Sequence, residues 1–174
     1  SEMEIKDNIW FINPNNNNQN KVVFDESYKT FAIDNINFES GFQFIDLAGL
    51  VNGKDSRNID LTFENVNLKD ITPTIDSLAI NGKINGSLHL KTVDKKTLPF
   101  ADLRVNYFNI NNDYYGDLVF NAVGDEKIMN YSFKASLLNS DLKTFVTEGN
   151  LDFNPDIPVI IANVKLDKFK INSF

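Results

Sequence analysis

Apolar and polar residues alternate along most of the chain, and alternation with a period of two is the pattern of a β-strand with one buried face. The longest such run is Leu78–Leu90, with the sequence LAINGKINGSLHL. Its odd positions are mostly polar, whereas its even positions are Leu78, Ile80, Gly82, Ile84, Gly86, Leu88 and Leu90. The pattern predicts one long strand with an apolar face that lacks two side chains.

Two Asn-Gly pairs inside this run, Asn81-Gly82 and Asn85-Gly86, offer a competing interpretation, because Asn-Gly is the strongest short signal for a hairpin turn. A two-residue turn at the first pair would place Ile80 opposite Lys83 and reverse the alternation. The alternation instead continues unchanged through both pairs. We therefore favour an uninterrupted strand, with a single turn as the alternative.

The two glycines on the apolar face of this strand have two explanations. Glycine inside a strand lowers stability and marks a bend or the close approach of a backbone or a ligand. Gly82 and Gly86 either let a strongly curled sheet form or leave space for an apolar guest that lies along the strand. The two explanations are compatible with each other, because a curled sheet forms a trough in which a guest could lie. Thirteen residues also extend about 43 Å, longer than the strands of most compact domains.

The same alternation recurs in other segments of the chain. They are Arg57–Leu68, Asp102–Ile110, Gly116–Ala122, Tyr131–Leu137, Phe145–Phe153 and Val159–Ile171, with less regular stretches at Phe31–Phe38 and Gly41–Val51. The alternation slips by one residue at Glu64-Asn65, and again between Tyr107, which we place inward, and Phe108. Such slips are typical of β-bulges.

Helical signals are few. One helical turn is expected at Thr72–Ser77, where Thr72 could cap the turn and Pro73 could occupy its first position. Loops are expected at Asn13–Asn20, Asn52–Ser56, Val93–Thr97 and Gly124–Lys127. The predicted fold class is all-β, with long antiparallel or mixed strands curled into an elongated groove and at most one or two short helical turns.

Length and charge narrow the possible functions. The 174 residues, 15 of them Phe, fit a single β domain, and we expect this domain to be a fragment of a longer repetitive protein. A weak internal repeat relates residues 42–71 to residues 142–171. The net charge of −7, without a cluster of Lys or Arg, argues against binding of nucleic acid. No apolar run reaches the roughly 18 to 20 residues that span a bilayer.

The chain offers little material for catalysis or metal binding. His89 is the only histidine of the chain, so a metal site with several histidines is excluded. It falls on the polar side of its strand, where we expect a solvated surface residue rather than a member of a catalytic triad. The carboxylates are scattered, and the oxygen-rich stretch Asn109–Asp117 lacks the spacing of a calcium loop, so that turn chemistry explains it. We expect no catalytic residues, no metal site and no cofactor.

Four segments together carry a resemblance to a known family. They are INGKINGSLHL (Ile80–Leu90), PFADL (Pro99–Leu103), YGDL (Tyr115–Leu118) and VKLDKF (Val164–Phe169). This set resembles the translocation and assembly module B (TamB) family, an AsmA-like group, in the form found in Bacteroidetes. The resemblance covers residues 42–174.

The resemblance implies a fold, a place and a role. Proteins of this family are anchored in the inner membrane, lie mostly in the periplasm and form a taco-like apolar groove. Their proposed roles are phospholipid transport towards the outer membrane and assembly of outer-membrane proteins with a barrel partner. By this resemblance, the groove lining would be the even-numbered face of Leu78–Leu90 together with Phe120, Phe133, Leu151 and Leu166.

A rival of another class is a cell-surface β-sandwich that serves in binding or adhesion, with Tyr114 and Tyr115 contacting sugar. The two hypotheses differ in the apolar face. A sandwich buries this face between two sheets, whereas a groove leaves a continuous apolar strip open.

Overall fold

Consecutive strands pair with each other along almost the whole chain in the computed structural model. The structure describes residues 1–15, 20–27, 29–53, 56–73, 78–93, 96–125, 130–140, 142–152, 159–167 and 169. The strands are β1 (Glu2–Ile5), β2 (Asn8–Ile12), β3 (Lys21–Phe24), β4 (Thr30–Ser40), β5 (Gln43–Asn52), β6 (Ser56–Asn67), β7 (Ile80–Val93), β8 (Lys96–Ile110), β9 (Asp113–Asp125), β10 (Asn130–Asn139), β11 (Leu142–Asp152) and β12 (Val159–Leu166). One short helix, α1 (Leu68–Ile71), follows β6.

The described strands form one open antiparallel sheet. Its order is β1-β2-β4-β5-β6-β7-β8-β9-β10-β11-β12, and β3 pairs with β4 on the same edge as β2. The two end strands, β1 and β12, do not pair with each other, so the sheet is not closed into a barrel. The predicted fold class, long strands curled into a groove with almost no helix, is confirmed.

Strand β7 settles the question raised by the two Asn-Gly pairs. It runs without a turn, and both pairs lie inside its ladder with β8, where Asn81 is opposite Asn109 and Asn85 is opposite Arg104. The alternative of a hairpin turn is therefore wrong. Leu78 lies in an isolated bridge just before the strand.

The glycines of β7 are explained by the path of the backbone. Gly86 has a φ of 120°, a region that residues with a Cβ rarely adopt. A Cβ at this position would collide with the main-chain carbonyl oxygen of Asp102 on β8. A Cβ on Gly82 would lie 2.5 Å from Cγ1 of Val105. This geometry supports the first of the two explanations, that the glycines permit a close and strongly bent approach of neighbouring strands.

Both predicted bulges are present. The register of β6 shifts between Phe63 and Val66, and that of β8 shifts between Val105 and Phe108. The second slip corrects one detail of the prediction, because Tyr107 is the inserted residue and is exposed rather than inward-facing.

Asp117 on β9 holds this second bulge in place. One carboxylate oxygen accepts a hydrogen bond from the Tyr107 N–H at 3.0 Å. The other accepts hydrogen bonds from Arg104 Nη2 at 2.7 Å and Asn106 Nδ2 at 3.1 Å. Burial opposes ionisation of this carboxyl, but the hydrogen bonds and the charge of Arg104 outweigh it and lower the pKa of Asp117 below its ordinary value of 3.8.

We expect Asp117→Asn to lower the free energy of unfolding by about 1 to 2 kcal/mol at pH 7. Because the folded state lowers the pKa of Asp117, its ionisation stabilises the fold above the unfolded pKa. This contribution is lost as the pH falls through the folded pKa. Urea unfolding between pH 7 and pH 2 should therefore show the two proteins converging in stability at the acid end. A difference that stayed constant over this range would contradict the ionic role of Asp117.

The helical turn predicted at Thr72–Ser77 falls largely on residues 74–77, which lie outside the described residues, so it stays a prediction. The helix precedes this segment, and Thr72 ends it, with its backbone N–H and its hydroxyl both donating to the carbonyl oxygen of Leu68. Thr72 has extended dihedral angles, which a residue before proline prefers. Pro73 therefore follows directly after the residue that ends α1.

Other segment boundaries differ slightly from the predicted ones. The loops predicted at 93–97 and 124–127 are shortened, because β7, β8 and β9 extend into them. Strand β12 ends at Leu166, and Phe153 and Ile171, the predicted ends of two strands, lie outside the described residues.

One end of the sheet is filled by an apolar core. Trp10, Val66, Ile84 and Val105 form a cluster of buried side chains, although β2 and β8 are separated by four strands of the sheet. The turn between β1 and β2 also reaches α1, where Lys6 Nζ donates a hydrogen bond to the Lys69 carbonyl oxygen at 2.7 Å. The sheet therefore curls towards the side that carries these residues, and we call this end the closed end.

Candidate functional site

One side of the sheet collects apolar side chains from every strand between β4 and β12. Directly opposed residues of antiparallel strands point to the same side, so the register assigns each residue to a face. From Leu88 on β7, the pairs lead through Leu61 to Leu47 in one direction and through Ala101 to Ala122 in the other. We call this surface, which is continuous with the core of the closed end, the apolar face.

The structure brings the predicted lining residues of the strands onto this one face. The register and the alternation within each strand place there Ile80, Gly82, Ile84, Gly86, Leu88, Leu90, Phe120, Phe133, Leu151 and Leu166. Leu78, in its bridge before β7, is half-buried. Their common placement follows from the register together with the alternation, whereas contact with a lipid stays a prediction.

The apolar face is almost free of charge. Along β4 to β12, the described residues that share this face include two charged ones, Arg57 and Asp113. Arg57 is opposite Thr92 and Asp113 is opposite Ile110, so these two charges lie at opposite ends of the sheet. The long stretch between them offers apolar contact without an ionic anchor.

Exposure along the apolar face is uneven, and this changes what Ile84 can do. Ile84 is only 7 % exposed and belongs to the core of the closed end, so it supports the fold rather than offering a surface to a guest. Leu88 and Leu90, nearer the other end, are half-buried. On β12, Ile160, Val164 and Leu166 are exposed. The most accessible apolar side chains of the face therefore lie on the edge strand β12, whereas residues such as Val51 and Tyr131, at the end remote from the closed end, are buried.

Aromatic residues lie beside three glycines of the apolar face, and at two of them, Gly124 and Gly149, the ring lies directly against the glycine. Gly86 is opposite Phe63, and Gly149 is opposite Phe133. A Cβ on Gly149 would lie 2.9 Å from Cζ of Phe133, and a Cβ on Gly124 would collide with the ring of Tyr131. Pairing a glycine with a cross-strand aromatic ring is a known way to stabilise a curved sheet. Near Gly124 and Gly149, neighbouring rings occupy the space that a side chain would fill.

Two features of the face escaped the sequence analysis. Trp10 is fully buried in the core of the closed end. Phe169, beyond β12, stacks on Tyr115 with ring centroids 5.4 Å apart and also contacts Phe145 at 5.9 Å. The available signal for Trp10 was its status as the only tryptophan in the chain.

The outer face of the sheet is mixed, with polar and charged residues beside exposed apolar ones such as Val123 and Ile161. His89 lies there as predicted, and its Nδ1 is 2.5 Å from a carboxylate oxygen of Asp60. The two-residue hairpin turn at Asn111 and Asn112 has positive φ at both residues, so the turn interpretation of this oxygen-rich stretch is confirmed. Among the described residues, no group of three acidic or histidine side chains could hold a metal ion.

The tyrosines of the rival hypothesis are separated by the structure. Tyr115 is buried beneath Phe169, so it cannot contact sugar, whereas Tyr114 is exposed on the outer face. The described residues form one sheet rather than two, so the architecture of a β-sandwich is not the one that this chain adopts.

No protein-family model, curated protein or solved structure matches this chain. The described residues contain no helix with the length and hydropathy needed to cross a membrane.

Proposed function

We propose that this chain is a periplasmic segment of a TamB-like envelope protein and that its apolar face carries the acyl chains of phospholipids between the inner and outer membranes. The observation that supports this proposal is a continuous, nearly uncharged apolar face on a sheet that is curled and open. The parts that concern outer-membrane protein assembly, a barrel partner and an inner-membrane anchor outside this chain rest on the family resemblance.

The physical chemistry of this face suits a sliding lipid. Burial of each methylene group of an acyl chain contributes about 0.8 kcal/mol, so an apolar face can hold the chain without polar contacts. Transport also requires that no position bind too tightly. An apolar lining without a central charge provides similar contacts along its length, which favours movement over capture at one site.

Arg57 adds a feature suited to the headgroup. It is exposed at the end of the apolar face remote from the closed end, opposite Val51 and Thr92. A guanidinium group there can form paired hydrogen bonds to a phosphate. A lipid bound in this way would have its acyl chains in contact with apolar side chains and its phosphate paired with the guanidinium group of Arg57.

Two adjacent isoleucines of β12 provide a matched test. Ile160 is on the apolar face opposite Leu151 and is 65 % exposed, whereas Ile161 is on the outer face opposite Asn150 and is 69 % exposed. We expect Ile160→Asp to reduce crosslinking to a phosphatidylethanolamine with a photoreactive acyl chain by about tenfold, equivalent to about 1.4 kcal/mol. Ile161→Asp introduces the same charge in the same strand and should leave crosslinking almost unchanged.

Mass spectrometry of the crosslinked peptides gives a second readout of the same experiment. Crosslinks should concentrate on β7 to β12 at half-buried or exposed residues of the apolar face, such as Leu88 and Leu90. Equal losses in both variants, or a wild-type protein that captures no lipid, would count against lipid transport. Circular dichroism of both variants would establish that they remain folded.

A further inference from the structure

The bulge on β8 places Tyr107 in a backbone conformation that other residue types adopt more easily than tyrosine does. Its φ is 55°, in the left-handed region that is unusual for bulky residues. Strand β4 also has a bulge, where its register with β5 shifts between Ile33 and Ile36. The bulges on β4 and β6 have the same conformation but carry asparagines, Asn35 at 47° and Asn65 at 54°, which tolerate it best after glycine. The bulge on β8 is thus the one of these three with an aromatic residue at the left-handed position.

The ring of Tyr107 contributes little to packing. The residue is 66 % exposed, so apolar burial does not offset the unfavourable backbone conformation. The contact that supports the bulge comes from the backbone N–H of Tyr107, which donates to Asp117, and any non-proline residue could supply it. Strained residues of this kind concentrate at binding and catalytic sites.

Tyr107 lines a hollow of about 560 Å³ on the outer face, on the side of the sheet opposite the apolar face. A second exposed tyrosine, Tyr114, lines the same hollow, together with Asn65, Lys83 and Asn106. Within the described part of the chain, the Lys83 ammonium group and the two tyrosine hydroxyls make no hydrogen bond or ion pair. Asp117, also in the lining, is already paired with Arg104.

We propose that this outer hollow is a binding site for a saccharide. A sugar ring presents a flat C–H surface that packs on an aromatic ring, and its hydroxyl groups need hydrogen-bond donors and acceptors around that contact. Two solvent-facing tyrosines provide the stacking surfaces, and the amide of Asn65 and the ammonium of Lys83 provide polar partners. The site is separate from the apolar face and stands whether or not that face carries lipid.

The experiment combines a glycan array with one substitution at the strained position. The purified chain is applied to an array of neutral, N-acetylated and acidic oligosaccharides, and the strongest ligand is then titrated by calorimetry. Tyr107→Asn removes the ring but keeps the bulge, since asparagine occupies the corresponding positions on β4 and β6. We expect at least about a tenfold loss of affinity and a Tm that is unchanged or higher by about 2 to 4 °C.

The outcomes separate a binding role from a structural one. Phe11→Asn, at an exposed aromatic residue of the outer face that lines neither this hollow nor the adjoining one beside Asn65 and Lys83, should leave the affinity unchanged. Ile160→Asp should also leave saccharide binding intact, which keeps this proposal distinguishable from lipid transport. An array without a ligand, a Tyr107→Asn variant that binds as tightly as wild type, or a Tm lowered by Tyr107→Asn would each overturn the proposal.

Discussion

Trp10→Ala is expected to lower the free energy of unfolding by about 3 to 5 kcal/mol, the cost of truncating a large, fully buried aromatic side chain. Trp10 is 0 % exposed and fills the core of the closed end. Without its ring, a cavity would lie between β2 and the strands across the groove, because the surrounding side chains are held by the sheet and relax only in part. Since Trp10 is the only tryptophan, unfolding in urea should be followed by circular dichroism rather than fluorescence.

Phe11 supplies the matched control for this prediction. It neighbours Trp10 on the same strand but is exposed on the outer face, opposite Glu2 and Glu39. Phe11→Ala should change the free energy of unfolding by less than about 1 kcal/mol. Similar effects of both substitutions would show that the β1–β2 hairpin does not pack across the closed end in solution.

Gly86→Ala is expected to destabilise the protein by about 3 kcal/mol or more, although it adds a single methyl group. The reason is the path of β7, whose φ of 120° at this residue directs a Cβ into the carbonyl oxygen of Asp102 on the neighbouring strand. Relief would require β7 and β8 to separate locally, with loss of hydrogen bonds in the middle of the sheet. Thermal unfolding monitored by circular dichroism measures the effect.

Gly53→Ala is the control that separates the cost of a steric collision at Gly86 from the cost of placing alanine at a positive φ. Gly53 also has a positive φ, 62°, but a Cβ there would meet nothing within 4 Å. Its substitution should cost only about 1 to 2 kcal/mol, the general penalty of a left-handed conformation. If Gly86→Ala proved no more harmful than Gly53→Ala, the close approach of β7 to β8 would not be needed for the curl.

The alternation of residues predicts the faces well, because the direction of a side chain in a strand is a local property. The alternation therefore indicated the inward side of each strand separately, with Leu88, Phe120, Phe133 and Leu151 on it, whereas their place in one groove was an expectation from the family resemblance. A slip in the alternation also locates a bulge. It does not tell which residue is the inserted one, and for this reason Tyr107 was assigned to the wrong side.

The features that sequence reasoning missed depend on contacts between distant segments. In β2, the sequence NIWFI places four apolar residues in succession, which hides the alternation and with it the inward direction of Trp10. The burial of Trp10 depends further on the curl of the strands between β2 and β8. The helix α1 has four residues, too few for a periodic signal, and the Thr-Pro pair beside it is compatible with either end of a helix.

The strand order has a consequence for how such a sheet changes in size. From β4 to β12, each strand pairs with the strand that follows it in the chain, and every pairing is antiparallel. Inserting or deleting one hairpin in this series would leave the direction of all later strands unchanged. Their apolar side chains would also stay on the same side of the sheet. The length of the groove is thus a quantity that evolution, or a protein engineer, can adjust in steps of two strands while leaving its chemistry unchanged.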